Sequence, residues 1–201
     1  MLFLRYLQQA DQAVRNGGTS AGLCGREIRS KKVGIIGCGQ IGFMTAKLFQ
    51  AFGAEVYAYA RHEREEVKAA GIAYKPLDDL LRECDIISLH TPNNKETRGM
   101  ISAEKIALMK PNAVLINTAR GPVLDSQALA DALNNDKIAG ACIDVFETEP
   151  PIAKTHPLVN AKHTILTPHV AFASKEAMVK RAIIVFDNVV KYLNGTPQNI
   201  M

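Results

Sequence analysis

Three residues in the second half of the chain have types that together suit reduction of a carbonyl beside a carboxylate. Arg120, Glu149 and His169 each stand at or just beyond the end of an apolar, strand-like run. Histidine exchanges protons near neutral pH, and arginine binds a carboxylate through two parallel hydrogen bonds. A glutamate bonded to the histidine would raise the histidine pKa and fix its orientation. Singly, each has another explanation: a turn arginine, an exposed glutamate before two prolines, a histidine that caps a helix.

A source of reducing equivalents is suggested by the stretch GIIGCGQIG, which contains G-x-G-x-x-G at Gly37, Gly39 and Gly42. The motif follows an apolar strand and opens a helix, the context in which it binds a dinucleotide. The first glycine allows a tight turn, the second lets the backbone approach a pyrophosphate, and the third permits close packing of helix on strand. Free N–H groups at the helix start favour phosphate there. The alternative is a purely structural glycine turn.

The end of the second strand, EVYAYA followed by Arg61, bears on the choice of coenzyme. In NAD sites an acid at this position binds the ribose hydroxyls. Ala60 removes that acid, and the guanidinium of Arg61 suits a 2′-phosphate, with Arg64 one helical turn further on. We therefore expect NADP or NAD, with NADP slightly favoured. In the alternative, Arg61 stacks on adenine or faces solvent, and Glu63 serves the ribose.

The elements that must position these residues alternate along the chain. Apolar runs separated by helical runs predict a parallel sheet with helices on both faces, an α/β Rossmann-type, doubly wound fold in three layers. Strands are predicted at 31–37, 55–60, 72–74, 84–90 and 112–119, and the last strands within 137–146 and 163–169. Helices are predicted at 40–52, 63–70, 77–83, 102–109, 126–134 (with Asp125 as N-cap) and 174–193. Helical periodicity also begins at the first residue, in MLFLRYLQQADQAV.

The composition argues against a nucleic-acid-binding protein, a membrane-spanning protein and a metal-binding protein. The 201 residues are 47% hydrophobic and 22% charged, with a net charge of +4 and no basic block, so nucleic acid is not an expected partner. No apolar run approaches the roughly 18 residues that a membrane span needs. The four cysteines are scattered without a CxxC pair, which argues against a metal site and fits a reducing cytoplasm.

Five motifs in order give the chain a family resemblance: GIIGCGQIG, SLHTPNNKETRGMI, LINTARGPVLD, GACIDVFETEP and LTPHVAFAS. It resembles the nucleotide-binding domain of the D-isomer-specific 2-hydroxyacid dehydrogenases from about residue 5 to the C-terminus. The resemblance implies reversible hydride transfer between NAD(P)H and a D-2-hydroxy acid, as in glyoxylate/hydroxypyruvate reductase or phosphoglycerate dehydrogenase. Arg120 would bind the substrate, and His169 would be the general acid/base. Glu149, which directly precedes the proline as in the family, would be its partner rather than Glu147.

The resemblance also implies the remaining coenzyme contacts. Gln40 and Ile41 would contact the pyrophosphate, and Thr91 and Pro92 would pack near the adenosine. Thr118, Ala119, Arg120 and His169 would face the nicotinamide end, where Asp144 would hold the carboxamide. His90 is expected to be a structural residue at a strand end.

The family's substrate domain is built mostly from residues upstream of this region, so we expect the chain to lack one wall of the cleft. Residues 1–201 would then form a single NAD(P)-binding domain with a helical arm over 1–30. The helix over 174–201 would lack the domain to which it returns, and its apolar face (Ala177, Ile184, Val185, Val189) would need cover. A homodimer through residues 5–15 is implied. A coenzyme-binding module without catalysis, or a corepressor-like interaction protein, are the alternatives.

Overall fold

A seven-stranded, wholly parallel sheet forms the centre of the fold. The computed structural model describes residues 1–200, and the strand order is β3-β2-β1-β4-β5-β6-β7. The chain starts in the middle of the sheet, builds outward to one edge, then crosses over to build the other. The predicted doubly wound Rossmann-type fold is therefore confirmed. The strands are β1 (Lys32–Ile36), β2 (Glu55–Tyr59), β3 (Ala73–Tyr74), β4 (Ile86–Leu89), β5 (Val114–Asn117), β6 (Gly140–Ile143) and β7 (Thr164–Leu166).

Helices follow most strands, as the alternating pattern predicts. Several are shorter than expected: the run predicted over 102–109 is helical only at Ala103–Ile106, and that over 63–70 at Glu65–Ala69. Two short 3₁₀ helices lie at Gly121–Val123 and Pro157–Asn160. The helices are α1 (Leu7–Arg15), α2 (Gln40–Ala51), α3 (Glu65–Ala69), α4 (Leu77–Glu83), α5 (Ala103–Ile106), α6 (Ser126–Asn134) and α7 (Lys175–Leu193).

The N-terminal arm differs from its prediction. Helical periodicity starts at residue 1, yet α1 begins at Leu7, and residues 16–30 of the expected arm contain no helix. Tyr6, the residue before the helix, is left-handed with φ of 51°, which no α-helix continues through. Periodicity alone therefore overestimated this helix, because the pattern does not report the backbone turn at Tyr6.

The core lies on both faces of the sheet. Along β1, Val33 and Ile35 pack in a cluster with Phe43 and Ala46 of α2. Ile36 belongs to a second, larger cluster. Successive side chains of a strand point to opposite faces, so the two clusters mark two helical layers on one sheet. The larger cluster contains residues of both strands and helices, among them Leu80, Leu81, Ile87, Leu115, Leu129 and Leu133.

The chain divides into two compact units. The first, Met1–Pro168, contains the whole sheet and α1 to α6. The second begins at His169 and contains α7, a helix in which no residue is buried. The four residues expected to form its apolar face are all exposed. Over residues 1–200, no helix combines the length and apolar character that crossing a bilayer requires.

Candidate active site

The glycine loop joins β1 to α2 with geometry that only glycine allows. Gly37 has φ of 93°, and a Cβ there would lie 2.7 Å from the carbonyl carbon of His90 and 2.8 Å from Thr91. A Cβ on Gly42 would approach the carbonyl oxygen of Gly37 to 2.3 Å. Gly39, by contrast, has nothing within 4 Å of its Cβ position. The loop is thus closed on the protein side and open at Gly39, where a pyrophosphate could approach the backbone.

The start of α2 completes this end of the site. Gly39 is the N-cap residue, and no side chain caps the helix, so its first N–H groups face a position where phosphate is favoured. Gln40 and Ile41 lie exposed in the first turn, at the position predicted for pyrophosphate contacts. Their contact with a coenzyme stays a prediction.

A cavity of about 530 Å³ opens beside the glycine loop. It is lined by that loop, by the residues that follow β2, and by the segment after β4. Predicted coenzyme residues meet here although they are distant in sequence: Gly37 and Gly39, Arg61, and Thr91 with Pro92. The cavity lies where β1 and β4 diverge in chain order, the place at which open α/β sheets bind ligands.

Thr91 supplies an independent indication of a ligand. Its side-chain oxygen is buried and makes no hydrogen bond with any residue that the structure describes. Buried hydroxyl groups are normally paired, and an unpaired one needs an explanation. A polar atom of a bound nucleotide would satisfy it, so these residues fit the predicted coenzyme.

The charges around the ribose position are already partly paired. Arg61 Nη1 lies 2.6 Å from Glu96 Oε2, and Arg61 Nε donates to His62 Nε2 at 3.2 Å. Arg64 pairs with Glu66, and Glu63 lies 2.7 Å from Lys68. Sequence reasoning missed Glu96. It is 35 positions from Arg61, and only the adjacency of the segments after β2 and β4 brings the two together.

His90 lies at the end of β4 and is largely enclosed. Its Nε2 is 2.9 Å from the hydroxyl oxygen of Ser88, and burial lowers the pKa of the imidazole. A ring with a lowered pKa is neutral at pH 7, which suits the structural role expected for it.

A buried asparagine at the end of β5, Asn117, holds the backbone of Arg120 in the loop that follows. Asn117 is fully buried, donates to the carbonyl oxygen of Arg120 at 3.0 Å and accepts from Ala119 N at 3.0 Å. Next in the chain, a Cβ on Gly121 would fall 1.9 Å from the backbone of Phe146, so two chain segments touch there without side chains between them. Asn117 was not among the predicted residues, and its one signal was a polar side chain inside an apolar strand.

At the end of β6, Asp144 is buried and accepts a hydrogen bond from Thr167 Oγ1 at 2.5 Å. Its backbone N–H donates to the carbonyl oxygen of Asn117 at 2.9 Å. The buried acid is thereby tied to both neighbouring strands. Its contact with a nicotinamide carboxamide stays a prediction.

The two candidate glutamates after β6 have different surroundings. Glu147 Oε2 lies 2.9 Å from Nε2 of His156, whose ring packs edge-on against Phe146. Burial opposes the charge of Glu147, but hydrogen bonds from Ser126 and His156 outweigh burial and lower the pKa of the carboxyl. Glu147 thus links the loop after β6 to the start of α6. Glu149, the predicted partner of the general acid/base, is exposed, as is Glu147.

His169 is the first residue of the second unit. It has φ of 56°, an uncommon left-handed conformation for a residue other than glycine, and its ring meets Phe172 edge-on at 5.4 Å. Arg120 and Glu149 belong to the first unit. The joint action of the three stays a prediction. Across residues 1–200 there is no group of three or more His, Cys, Asp or Glu side chains placed to hold a metal ion.

Comparison with known proteins places this chain. The family model for "D-isomer specific 2-hydroxyacid dehydrogenase, NAD binding domain" matches residues 1–171. A glyoxylate reductase of Aeropyrum pernix is 40% identical over 190 residues, which are 94% of this chain and 56% of that enzyme. The chain thus spans little more than half the length of this relative.

Solved structures agree. The D-lactate dehydrogenase of Aquifex aeolicus, complexed with NAD and lactic acid, matches with a TM-score of 0.90 at 33% identity, over 97% of this chain and 63% of that one. An acyclic imino acid reductase in complex with NADPH and D-Arg matches with a TM-score of 0.89 at 34% identity, over 100% of this chain and 64% of that one. The chain therefore belongs to the D-isomer specific 2-hydroxyacid dehydrogenases and carries the family's NAD-binding region.

Proposed function

We propose that this chain provides the NAD(P)-binding and catalytic residues of an oxidoreductase acting on a small D-2-hydroxy acid and its 2-oxo acid. The observation that carries the proposal is the cavity beside the glycine loop, with Thr91 in its wall, whose buried hydroxyl has no hydrogen-bond partner among residues 1–200. The similarity to a glyoxylate reductase supports a substrate of the glyoxylate or hydroxypyruvate kind. A phosphoglycerate-like substrate is the other member of this class.

Bound nicotinamide would supply or accept the hydride. Arg120 would bind the substrate carboxylate and carbonyl, because its guanidinium can donate two parallel hydrogen bonds and its backbone is held by Asn117. His169 would give a proton to the carbonyl oxygen during reduction and take it back during oxidation. Glu149 would orient the imidazole. Asp144 would fix the coenzyme's carboxamide from its buried position.

Within this proposal, NADP is favoured over NAD. The end of β2 has no acid to repel a 2′-phosphate, and Arg61 lies in the wall of the cavity. Arg61→Ala should weaken binding of NADPH far more than that of NADH. Equal losses would indicate stacking on adenine, and no change in either would make Arg61 a surface residue.

Steady-state reduction of glyoxylate, hydroxypyruvate and phosphohydroxypyruvate with each coenzyme tests the activity. His169→Asn should lower kcat by about 10²–10⁴-fold and leave coenzyme binding intact, the range typical for a lost general acid. His163→Asn is the matched control, since that exposed histidine precedes β7 and pairs with Asp136, which precedes β6, whereas His169 follows β7. Equal kcat values in the two variants would refute the role of His169.

A coenzyme-binding module without turnover of its own is the second candidate. It is favoured by the exposed apolar residues of α7. Clear binding of NADPH with no reduction of any of the three substrates would support this reading. Full activity would exclude it.

We further infer a homodimer in the cytoplasm. Exposed apolar side chains at Leu2, Leu7 and Val14 in the N-terminal arm support the dimer, and four cysteines free of disulfides are in keeping with a reducing compartment. Sedimentation equilibrium of the wild type and of Leu7→Glu tests the first point, with a monomeric wild type as the contrary result. Cell fractionation tests the second.

A further inference from the structure

The ion pair between Arg61 and Glu96 spans two separate segments of the same cavity wall. Arg61 follows β2, Glu96 lies in the segment after β4, and their charged atoms are 2.6 Å apart. Arg61 Nε also donates to His62, so two of its nitrogen atoms are engaged. The neighbouring Arg64 is paired with Glu66. Arg61, which follows β2, is therefore the cation of this wall that pairs with a residue of the segment after β4.

Glu96 is held by a hydrogen-bonded turn. The side-chain oxygen of Asn94 accepts from the backbone N–H groups of both Glu96 and Thr97 at 3.0 Å. Thr97 Oγ1 donates to the carbonyl oxygen of Pro92 at 2.5 Å. The turn fixes the backbone of Glu96 whether or not Arg61 stays in place. A negative charge is consequently pre-positioned beside the cation predicted to bind a 2′-phosphate.

The two coenzymes would meet this pair differently. NADH presents ribose hydroxyls, which need no free guanidinium and leave the ion pair intact. NADPH presents a phosphate of charge near −2, which would compete with Glu96 for Arg61. We propose that Glu96 is a specificity-determining residue that holds back NADPH binding by competing with the 2′-phosphate for Arg61. This inference rests on the proposed coenzyme site.

The size of the effect follows from the exposure of the pair. The two side chains are 68% and 64% exposed, so solvent weakens their attraction. Removing the competing charge should strengthen NADPH binding by about two- to fivefold, the range that exposed ion pairs span. Binding of NADH should change by less than about 1.5-fold, since its ribose does not require Arg61.

The test is titration of the full chain with NADPH and NADH, followed by nicotinamide fluorescence, for wild type and Glu96→Gln. The matched control is Glu65→Gln, which removes the same charge from a residue paired with Lys68 and outside the cavity wall. We expect a lower NADPH dissociation constant in Glu96→Gln alone. In an Arg61→Ala background the gain should vanish, because no guanidinium remains for the two anions to share.

The other results are each decisive. An unchanged ratio of NADPH to NADH affinity in Glu96→Gln overturns the inference and leaves the coenzyme site standing. So does a gain of equal size in Glu65→Gln, which would be a general charge effect. A gain that persists in Arg61→Ala overturns competition for Arg61. No binding of either coenzyme by the wild type would overturn the coenzyme site itself, and the inference with it.

Discussion

The sheet of the first unit and helix α7 of the second are both rich in apolar residues, yet they differ in burial. Leu115 in the middle of β5 is fully buried, whereas Leu193 at the end of α7 is 76% exposed. The strands were predicted from continuous apolar runs, and α7 from a helical run with one apolar face. A strand in a parallel sheet gains neighbours on both sides and on both faces, while the apolar residues of a helix are buried only if another element covers them. The comparison teaches that an apolar pattern identifies an element without determining its environment.

The largest expected difference comes from cutting a leucine to alanine in each region. Leu115→Ala should lower the free energy of unfolding by about 2–5 kcal/mol, because it leaves a cavity in the larger core cluster on the face of the sheet. Leu193→Ala should change it by less than about 0.5 kcal/mol, since the side chain is mostly in solvent. Urea unfolding followed by circular dichroism measures both. Similar losses would mean that α7 is covered in solution.

Glycines with positive φ give the second contrast. Gly37→Ala should cost about 1–3 kcal/mol and abolish coenzyme binding, because its Cβ would strike the backbone of the segment after β4. Gly195→Ala shares the positive φ, at 72°, but has open space around it. It should add only about 1–2 kcal/mol of strain at the end of α7 and leave coenzyme binding unchanged. Fluorescence titration with NADH separates the two, and normal binding by Gly37→Ala would contradict the proposed loop function.

Two aspartates sharpen the comparison through pH. Burial of Asp85 opposes its charge, but hydrogen bonds from Lys32 N, Lys110 and Asn112 outweigh burial and lower the pKa of its carboxyl. A lowered folded-state pKa stabilises the fold above the unfolded value of about 4, and that stability is lost as the pH falls through the folded value. Asp85→Asn should thus cost about 1.5 kcal/mol at pH 7 and progressively less below about pH 4.

The control is Asp187→Asn in α7, where hydrogen bonds from Gln198 and Lys191 lower the pKa of a solvent-exposed carboxyl. Its pH dependence should have the same sign and a smaller amplitude, because water screens the charge. Unfolding curves from pH 3 to 7 measure both. A pH-independent loss in Asp85→Asn would refute the ionic origin of its contribution.

The smallest effects are expected at two helix N-caps. Asp125 accepts from Ala128 N at 2.9 Å at the start of α6, and Ser174 accepts from Ala177 N at 3.0 Å at the start of α7. Asp125→Ala should lower the free energy of unfolding by about 1 kcal/mol. Ser174→Ala should instead speed hydrogen exchange of the Ala177 amide and hardly move the main transition. A shift of that transition equal to the one in Asp125→Ala would show that α7 unfolds together with the sheet.

Much of the fold could be predicted from the sequence because its causes are local. Alternating apolar runs, the glycines at 37, 39 and 42, and the Asp125 cap each depend on backbone sterics or on hydrogen bonds within a few residues. Arg61 was placed by its position after the second strand and Thr91 by the family resemblance, and both line the cavity beside the glycine loop.

The tertiary structure decided the contacts between residues that are distant in the sequence. Arg61 pairs with Glu96, and Thr167 donates to Asp144, although the partners follow different strands. The burial of the Thr91 hydroxyl, without a partner among the described residues, also depends on which segments surround it. Strand order sets those contacts, and no pattern within one segment reports it. The sequence by itself determined that this chain forms a doubly wound sheet with a glycine turn between β1 and α2. Only the folded structure decided which charge stands against Arg61, because the segments after β2 and β4 meet in space and not along the chain.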